Sequence, residues 1–239
     1  MAYFALIGGK TNKEILDNKI EKNLISIANK KCPTILYCPY AAINDIERSN
    51  DKFKKQMNGL DCNIIYMTLN DIDNFDSLLN QADIFYVGGG HCDDLVDLFL
   101  KKNYYDILLK YIDTNKIFAG VSAGAMIWCK YGMGDKYMYH DNFHNYNYKM
   151  VKCLGLLDIT ICPHYQNEDL IVYNEEITHY GLNSFGIEDD VCLIINGNDY
   201  HIIKEDKRKS CYFFNKNDSL KMIPLYEGID YNENSSFRA

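Results

Sequence analysis

The chain has 239 residues, of which 47% are apolar and 24% charged. That length and balance argue against a disordered chain and allow one large domain or two small ones with a sizeable core. A formal net charge of -8 argues against a polyanionic partner, which needs a clustered basic surface, so nucleic acid is not an expected partner.

The N-terminus, Met1-Ala2-Tyr3-Phe4-Ala5-Leu6-Ile7-Gly8-Gly9, is apolar but too short for a signal peptide and has no basic leader. No later stretch reaches membrane-spanning length, so a soluble, unexported protein without a membrane partner is expected. Nine cysteines, odd in number and without a C-x-x-C pair, point to reduced thiols in the cytoplasm rather than a disulfide framework.

Short apolar runs at 3–7, 34–37, 63–67, 84–87 and 117–121 have the length of strands. Between them, 14–29, 43–57, 72–81 and 93–114 carry apolar residues at helical spacing, the last broken near Asn103. Strands apolar on both faces that alternate with helices predict an α/β fold: a doubly wound, mostly parallel sheet with helices on both faces. In such sheets chemistry gathers beyond the carboxyl ends of the strands.

The run at 84–87 ends in Gly88-Gly89-Gly90, whose unobstructed N–H groups suit an oxyanion donor at Gly89 or Gly90. A phosphate-cradling loop is the rival reading, but the Lys-Ser/Thr of a P-loop is missing. The run at 117–121 leads into Gly120-Val121-Ser122-Ala123-Gly124, followed by the helix-like Ala125-Met126-Ile127-Trp128. A bare Gly-x-Ser-x-Gly is common, but a strand before it and a helix after it supply the context of a nucleophile elbow. Ser122 is then the candidate nucleophile, and the N–H of Ala123 a candidate oxyanion donor.

Residues 131–150, rich in Tyr, Asn, His and Gly, lack periodicity and read as a long loop over the sheet edge, a lid or an inert excursion. Strand-like runs follow at 158–161, 184–187, 191–195, 200–204, 211–214 and 221–224, with Asn196-Gly197-Asn198 as a hairpin signal. These predict a C-terminal antiparallel hairpin region. With no repeat, linker or composition shift, residues 1–239 read as a single domain.

A serine nucleophile needs a base. Of six histidines (His91, His140, His144, His164, His179 and His201), His164 stands at a strand end with its backbone fixed by Pro163. The acid is sought in Glu188-Asp189-Asp190, between two strands. The order Ser, His, acid differs from that of α/β-hydrolases.

Four segments, Phe85-Tyr86-Val87-Gly88-Gly89-Gly90, Gly120-Val121-Ser122-Ala123-Gly124-Ala125, Cys162-Pro163-His164-Tyr165 and Gly186-Ile187-Glu188-Asp189-Asp190, resemble the peptidase E (S51) family in order and spacing. The resemblance implies a fold like that of class I glutamine amidotransferases, no cofactor or metal, and a serine peptidase acting on small peptides. In it Ser122 and His164 match nucleophile and base, and Asp189 aligns with the acid, a glutamate in aspartyl dipeptidase and cyanophycinase. His91-Cys92 stands where the family commonly has Asn-Thr. No arginine follows His164 in the adjoining helix, so preference for N-terminal aspartate is not expected. An ester or non-peptide amide hydrolase of the same mechanism and a catalytically silent binding relative are the alternatives. A homodimer is allowed, but no exposed apolar stripe demands one.

Overall fold

The computed structural model describes residues 1–11, 18–135, 148–166 and 172–232. It is an α/β fold built on two sheets. The first strands are β1 (Tyr3–Ile7), β2 (Thr34–Cys38), β3 (Asn63–Tyr66), β4 (Ile84–Val87) and β5 (Ile117–Val121). They lie side by side and parallel in the order β1-β5-β4-β2-β3. Beyond β1 the sheet continues with β10 (Val191–Asn196), β11 (Asp199–Lys204) and β14 (Tyr231–Asn232), all antiparallel to their neighbours.

Successive side chains of a strand point to opposite faces, and here both faces are buried. Phe4, Leu6, Phe85, Val87 and Phe118 join one core cluster, while Ala5, Ile7, Ile84, Tyr86, Ile117 and Ala119 join another. Continuous apolar runs are therefore required. Helices α1 (Lys19–Ile27) and α2 (Ile46–Gln56) bury Ile20, Leu24 and Phe53 in the second cluster. Helices α3 (Phe75–Gln81), α4 (Cys92–Lys101) and α5 (Tyr104–Leu109) bury Phe75, Leu95, Phe99 and Leu108 in the first. Asn103, in the left-handed region at φ 58°, breaks α4 from α5 where the sequence predicts.

The second sheet has six strands: β6 (Cys129–Asp135), β7 (Tyr148–Lys152), β8 (Leu157–Pro163), β9 (Asn183–Ile187), β12 (Cys211–Asn215) and β13 (Asp218–Leu225). Ile159, Ile161, Phe185 and Phe213 pack into the first core cluster, so this sheet lies over the same face as α3 to α5. Its outer face is covered by Tyr173 of α7 (Val172–Glu176) and by Ile177, which meet Met133, Cys162 and Phe214. The expected loop at 131–150 is corrected at both ends, because 131–135 and 148–150 are paired strands; residues 136–147 lie outside the described residues. Tyr131-Gly132-Met133-Gly134 hides its strand character because its glycines make room for Met126: a Cβ on Gly132 would come within 2.7 Å of Met126 Cγ.

Trp128 follows the short helix α6 (Ala123–Met126) and is fully buried, with its ring 5.5 Å from Phe118 and 5.7 Å from Phe85, centroid to centroid. Trp128→Ala is expected to cost about 3–5 kcal/mol, read from the urea midpoint and slope. Trp128→Phe should cost much less. The indole Nε1–H is buried without a hydrogen-bond partner among the described residues, and phenylalanine removes that unsatisfied donor.

Candidate active site

The elbow is set by close packing of backbone on backbone. A Cβ on Gly120 would lie 1.9 Å from the carbonyl oxygen of Gly124, and one on Gly124 would lie 2.1 Å from that of Val87. Only glycine allows β5 to turn at once into α6 against β4. Ser122 sits at the bend with φ 54° and ψ -118°, a conformation that non-glycine residues rarely adopt and that is over-represented at active sites. Its N–H donates to Ile7 O at 2.9 Å, which anchors the bend to the end of β1.

The two sheets deliver the other groups to the same place. β8 and β9 are parallel and in register at Pro163 and Ile187, so His164 and the 188–190 turn leave the second sheet side by side. That turn then crosses to the first sheet, where β10 begins at Val191 beside β1. On the way Gly9 and Asp189 form a parallel bridge, and Asp190 N–H donates to Gly9 O at 2.9 Å. His164 and Asp190 also have positive φ, 55° and 64°. Three strained non-glycine residues thus gather where the sheets meet.

His164 Nε2 lies 2.9 Å from Ser122 Oγ, and His164 Nδ1 lies 2.6 Å from Asp189 Oδ1. The carboxylate can only accept, so Nδ1 carries the proton, and Nε2 is left with the lone pair that faces the serine hydroxyl. Burial pushes the Asp189 carboxyl upward. The hydrogen bond and charge of His164, then Gln166, then Lys209 outweigh burial and hold it below the usual carboxylate range.

The neighbouring acids are turned elsewhere. Glu188 accepts from Ser210 N–H at 3.1 Å and from the Tyr212 hydroxyl at 3.3 Å, while Asp190 accepts from Thr11 N–H and Oγ1 at 2.9 and 2.5 Å. Of the three acids, only Asp189 meets the imidazole.

Gly89 lies against the elbow, since a Cβ there would be 3.3 Å from Ser122 Cβ. The N–H groups on either side of the glycine loop are committed, Gly88 to Cys38 O at 2.9 Å and His91 to Ala41 O at 2.7 Å. Among the described residues, no backbone carbonyl takes the N–H of Gly89, Gly90 or Ala123. Gly90 has φ 148°, and a Cβ on it would strike Ala41 O at 2.1 Å.

Of the remaining histidines, His91 Nδ1 stands 4.0 Å from Asp94 Oδ2, His201 pairs with Asp230 at 2.8 Å, and His179 ends a 3-10 helix; His140 and His144 lie outside the described residues. Cys92 is a core thiol with its Sγ 3.7 Å from that of Cys153. That hydrogen bond and burial push the Cys92 thiol well up, which suits packing and not nucleophilic chemistry. Among the described residues no group of three His, Cys, Asp or Glu side chains is placed to hold a metal ion.

Gly9 is a residue of this site that the sequence reading did not single out. A Cβ on it would lie 1.9 Å from Asp189 Oδ1 and 2.5 Å from His164 Cε1, so the His-Asp pair rests on its bare Cα. The signal was present as Gly8-Gly9 directly after the first strand. A Gly-Gly at a strand end is a common turn, however, and only the second sheet shows what approaches it.

Comparison with known proteins places the chain in a family. The model of Peptidase family S51 matches residues 4–203. Over 166 residues, 69% of this chain and 68% of the other, the sequence is 26% identical to a Bacillus subtilis (strain 168) protein named as the uncharacterized peptidase YgaJ. Among solved structures, a peptidase from an acI-B1 Actinobacterium superposes with a TM-score of 0.73 at 20% identity, covering 97% of each chain. At that identity the likeness concerns the fold alone.

Proposed function

Because the chain belongs to peptidase family S51, serine peptidases that act on small peptides through a Ser-His-acid triad, we propose that Ser122, His164 and Asp189 are that triad. The observation that carries the assignment is the unbroken path from Ser122 Oγ through the imidazole to Asp189, with contacts of 2.9 and 2.6 Å. In this reading His164 Nε2 takes the hydroxyl proton as Ser122 Oγ attacks the peptide carbonyl. The oxyanion is received by the N–H of Ala123 and by Gly89 or Gly90. His164 then hands its proton to the leaving amine, and a water activated by the same nitrogen releases the acyl group.

The same reading takes the larger sheet as a doubly wound, mostly parallel core like that of class I glutamine amidotransferases, with the strands after Val191 as a C-terminal antiparallel region and residues 1–239 as one domain. All nine cysteines are free, which supports a cytoplasmic location.

The test is covalent. A fluorophosphonate probe should label the protein at one site, mapped by mass spectrometry to Ser122, and a panel of dipeptides and small esters should show turnover that the probe blocks. Both rates should decline on acidification. Asp189 is held below the usual carboxylate range and so is already ionised, which makes protonation of His164 the event that removes the base. Labelling at another residue, or a rate flat across mildly acidic pH, contradicts a histidine-activated Ser122.

A further inference from the structure

Asp189 has a short side chain, and its carboxylate must meet the imidazole from a turn that crosses between sheets. With Oδ1 bound to His164, Oδ2 would be free to swing about the terminal torsion, which is broad for an aspartate. It is held. Gln166, two residues beyond His164 in the same turn, donates from Nε2 to Asp189 Oδ2 at 2.5 Å and accepts the Asp189 backbone N–H on Oε1 at 2.8 Å.

The amide orientation follows from the chemistry: a backbone N–H can only donate, so the amide oxygen must face it and the amide nitrogen must face the carboxylate. One planar side chain thus grips Asp189 at backbone and carboxylate together and ties the His164 turn to the acid's turn. Gln166 is exposed, where a long side chain gains nothing from order unless its contacts hold it.

We infer that Gln166 is a positioning residue for the proposed triad: it fixes the orientation of the Asp189 carboxylate that meets His164 and tempers the charge the imidazole feels. The inference rests on the triad reading above. Two effects should follow from losing Gln166, and a merely structural clamp would produce only one of them. First, misorientation slows attack by Ser122. Second, a carboxylate released from the amide donor interacts more strongly with the positive charge that develops on the imidazole, so the acidic limb of the rate moves.

The measurement is the second-order rate of fluorophosphonate labelling against pH, on the full chain, for wild type, Gln166→Met, Gln166→Glu and Ser122→Ala, with a melting temperature for each. Gln166→Met keeps the size and removes both hydrogen bonds. Gln166→Glu keeps the acceptor for the Asp189 N–H but sets a second carboxylate against Oδ2.

The expected result is a labelling rate lower by about 10- to 100-fold in Gln166→Met, the range seen when groups that orient a functional side chain are removed. The acidic limb should move to higher pH, further in Gln166→Glu than in Gln166→Met, while melting temperatures stay close to wild type. Labelling of both variants at the wild-type rate and with the wild-type pH profile overturns the inference. So does a slower rate that tracks a lowered melting temperature with the limb unmoved, which makes Gln166 a structural clamp only. If the wild type does not label, or labels equally in Ser122→Ala, the triad reading fails instead and this inference goes with it.

Discussion

Ser122→Ala is expected to lower kcat for any peptide the enzyme cleaves by up to about a million-fold, and His164→Ala by a similar factor. The near equality is the informative part. If His164 acts only by taking the proton from Ser122 Oγ, 2.9 Å away, then removing either group removes the same event. The double variant should then be no slower than the worse single one.

Asp189→Asn should cost about ten-thousand-fold, because an amide at this position no longer enforces the Nδ1–H tautomer that leaves Nε2 free. Substrate binding should change little in each case, since these groups act on the reacting bond. Steady-state and single-turnover rates on the best peptide of the panel read all four variants. A His164→Ala enzyme within about ten-fold of wild type, the level ordinary repositioning can produce, would remove the base from the mechanism.

The elbow and the proposed base could be placed from the sequence because local chemistry fixes both positions. An apolar run of strand length, glycines on each side of a serine and a helix-forming tail leave few folds open, and the packing of Gly120 on Gly124 shows why both glycines are needed. Pro163 marked the end of β8 in the same way. The choice among Glu188, Asp189 and Asp190 stayed open at that level because three adjacent carboxylates in a turn are equivalent until pairing assigns their directions. The bridge between Gly9 and Asp189, and the positive φ of Asp190, make that assignment across about 180 residues of sequence separation.

Two strands of the second sheet, β6 and β7, were missed for a related reason. β6 gives up side chains at Gly132 and Gly134 to seat Met126, so its alternation is too weak to register as a strand, and β7 follows residues with no periodic pattern of their own. Gln166 carried no signal at all, because a lone glutamine after a strand is ordinary until the Asp189 turn is brought against it. What the sequence conceals here is contact between turns, and that contact decides which acid meets which base.

Gly9→Ala should separate activity from stability. Gly9 does not lie at positive φ, so alanine can adopt its backbone without strain, and reduced freedom of the unfolded chain then favours the variant by roughly 0.4–1 kcal/mol. The new methyl has no empty space to enter. It meets Asp189 Oδ1 at 1.9 Å and His164 Nδ1 at 2.6 Å, well inside contact distance, and those are the two atoms of the proposed acid-base bond. The imidazole or the carboxylate must move, and a displacement near 1 Å at a reacting group costs about a hundred-fold or more in rate.

The expected outcome is a drop of roughly a hundred- to ten-thousand-fold in kcat and in fluorophosphonate labelling, bounded above by the loss for Asp189→Asn. The melting temperature should stay within a few degrees of wild type. Gly59→Ala is the opposite control: Gly59 has φ 78° with no atom within 4 Å of an added Cβ, so the strain falls on the backbone and stability drops while catalysis is unchanged. A Gly9→Ala protein with full activity would mean that the His164–Asp189 pair can work without resting on that Cα. The close approach of the two sheets at this point would then be a packing feature and not part of the catalytic geometry.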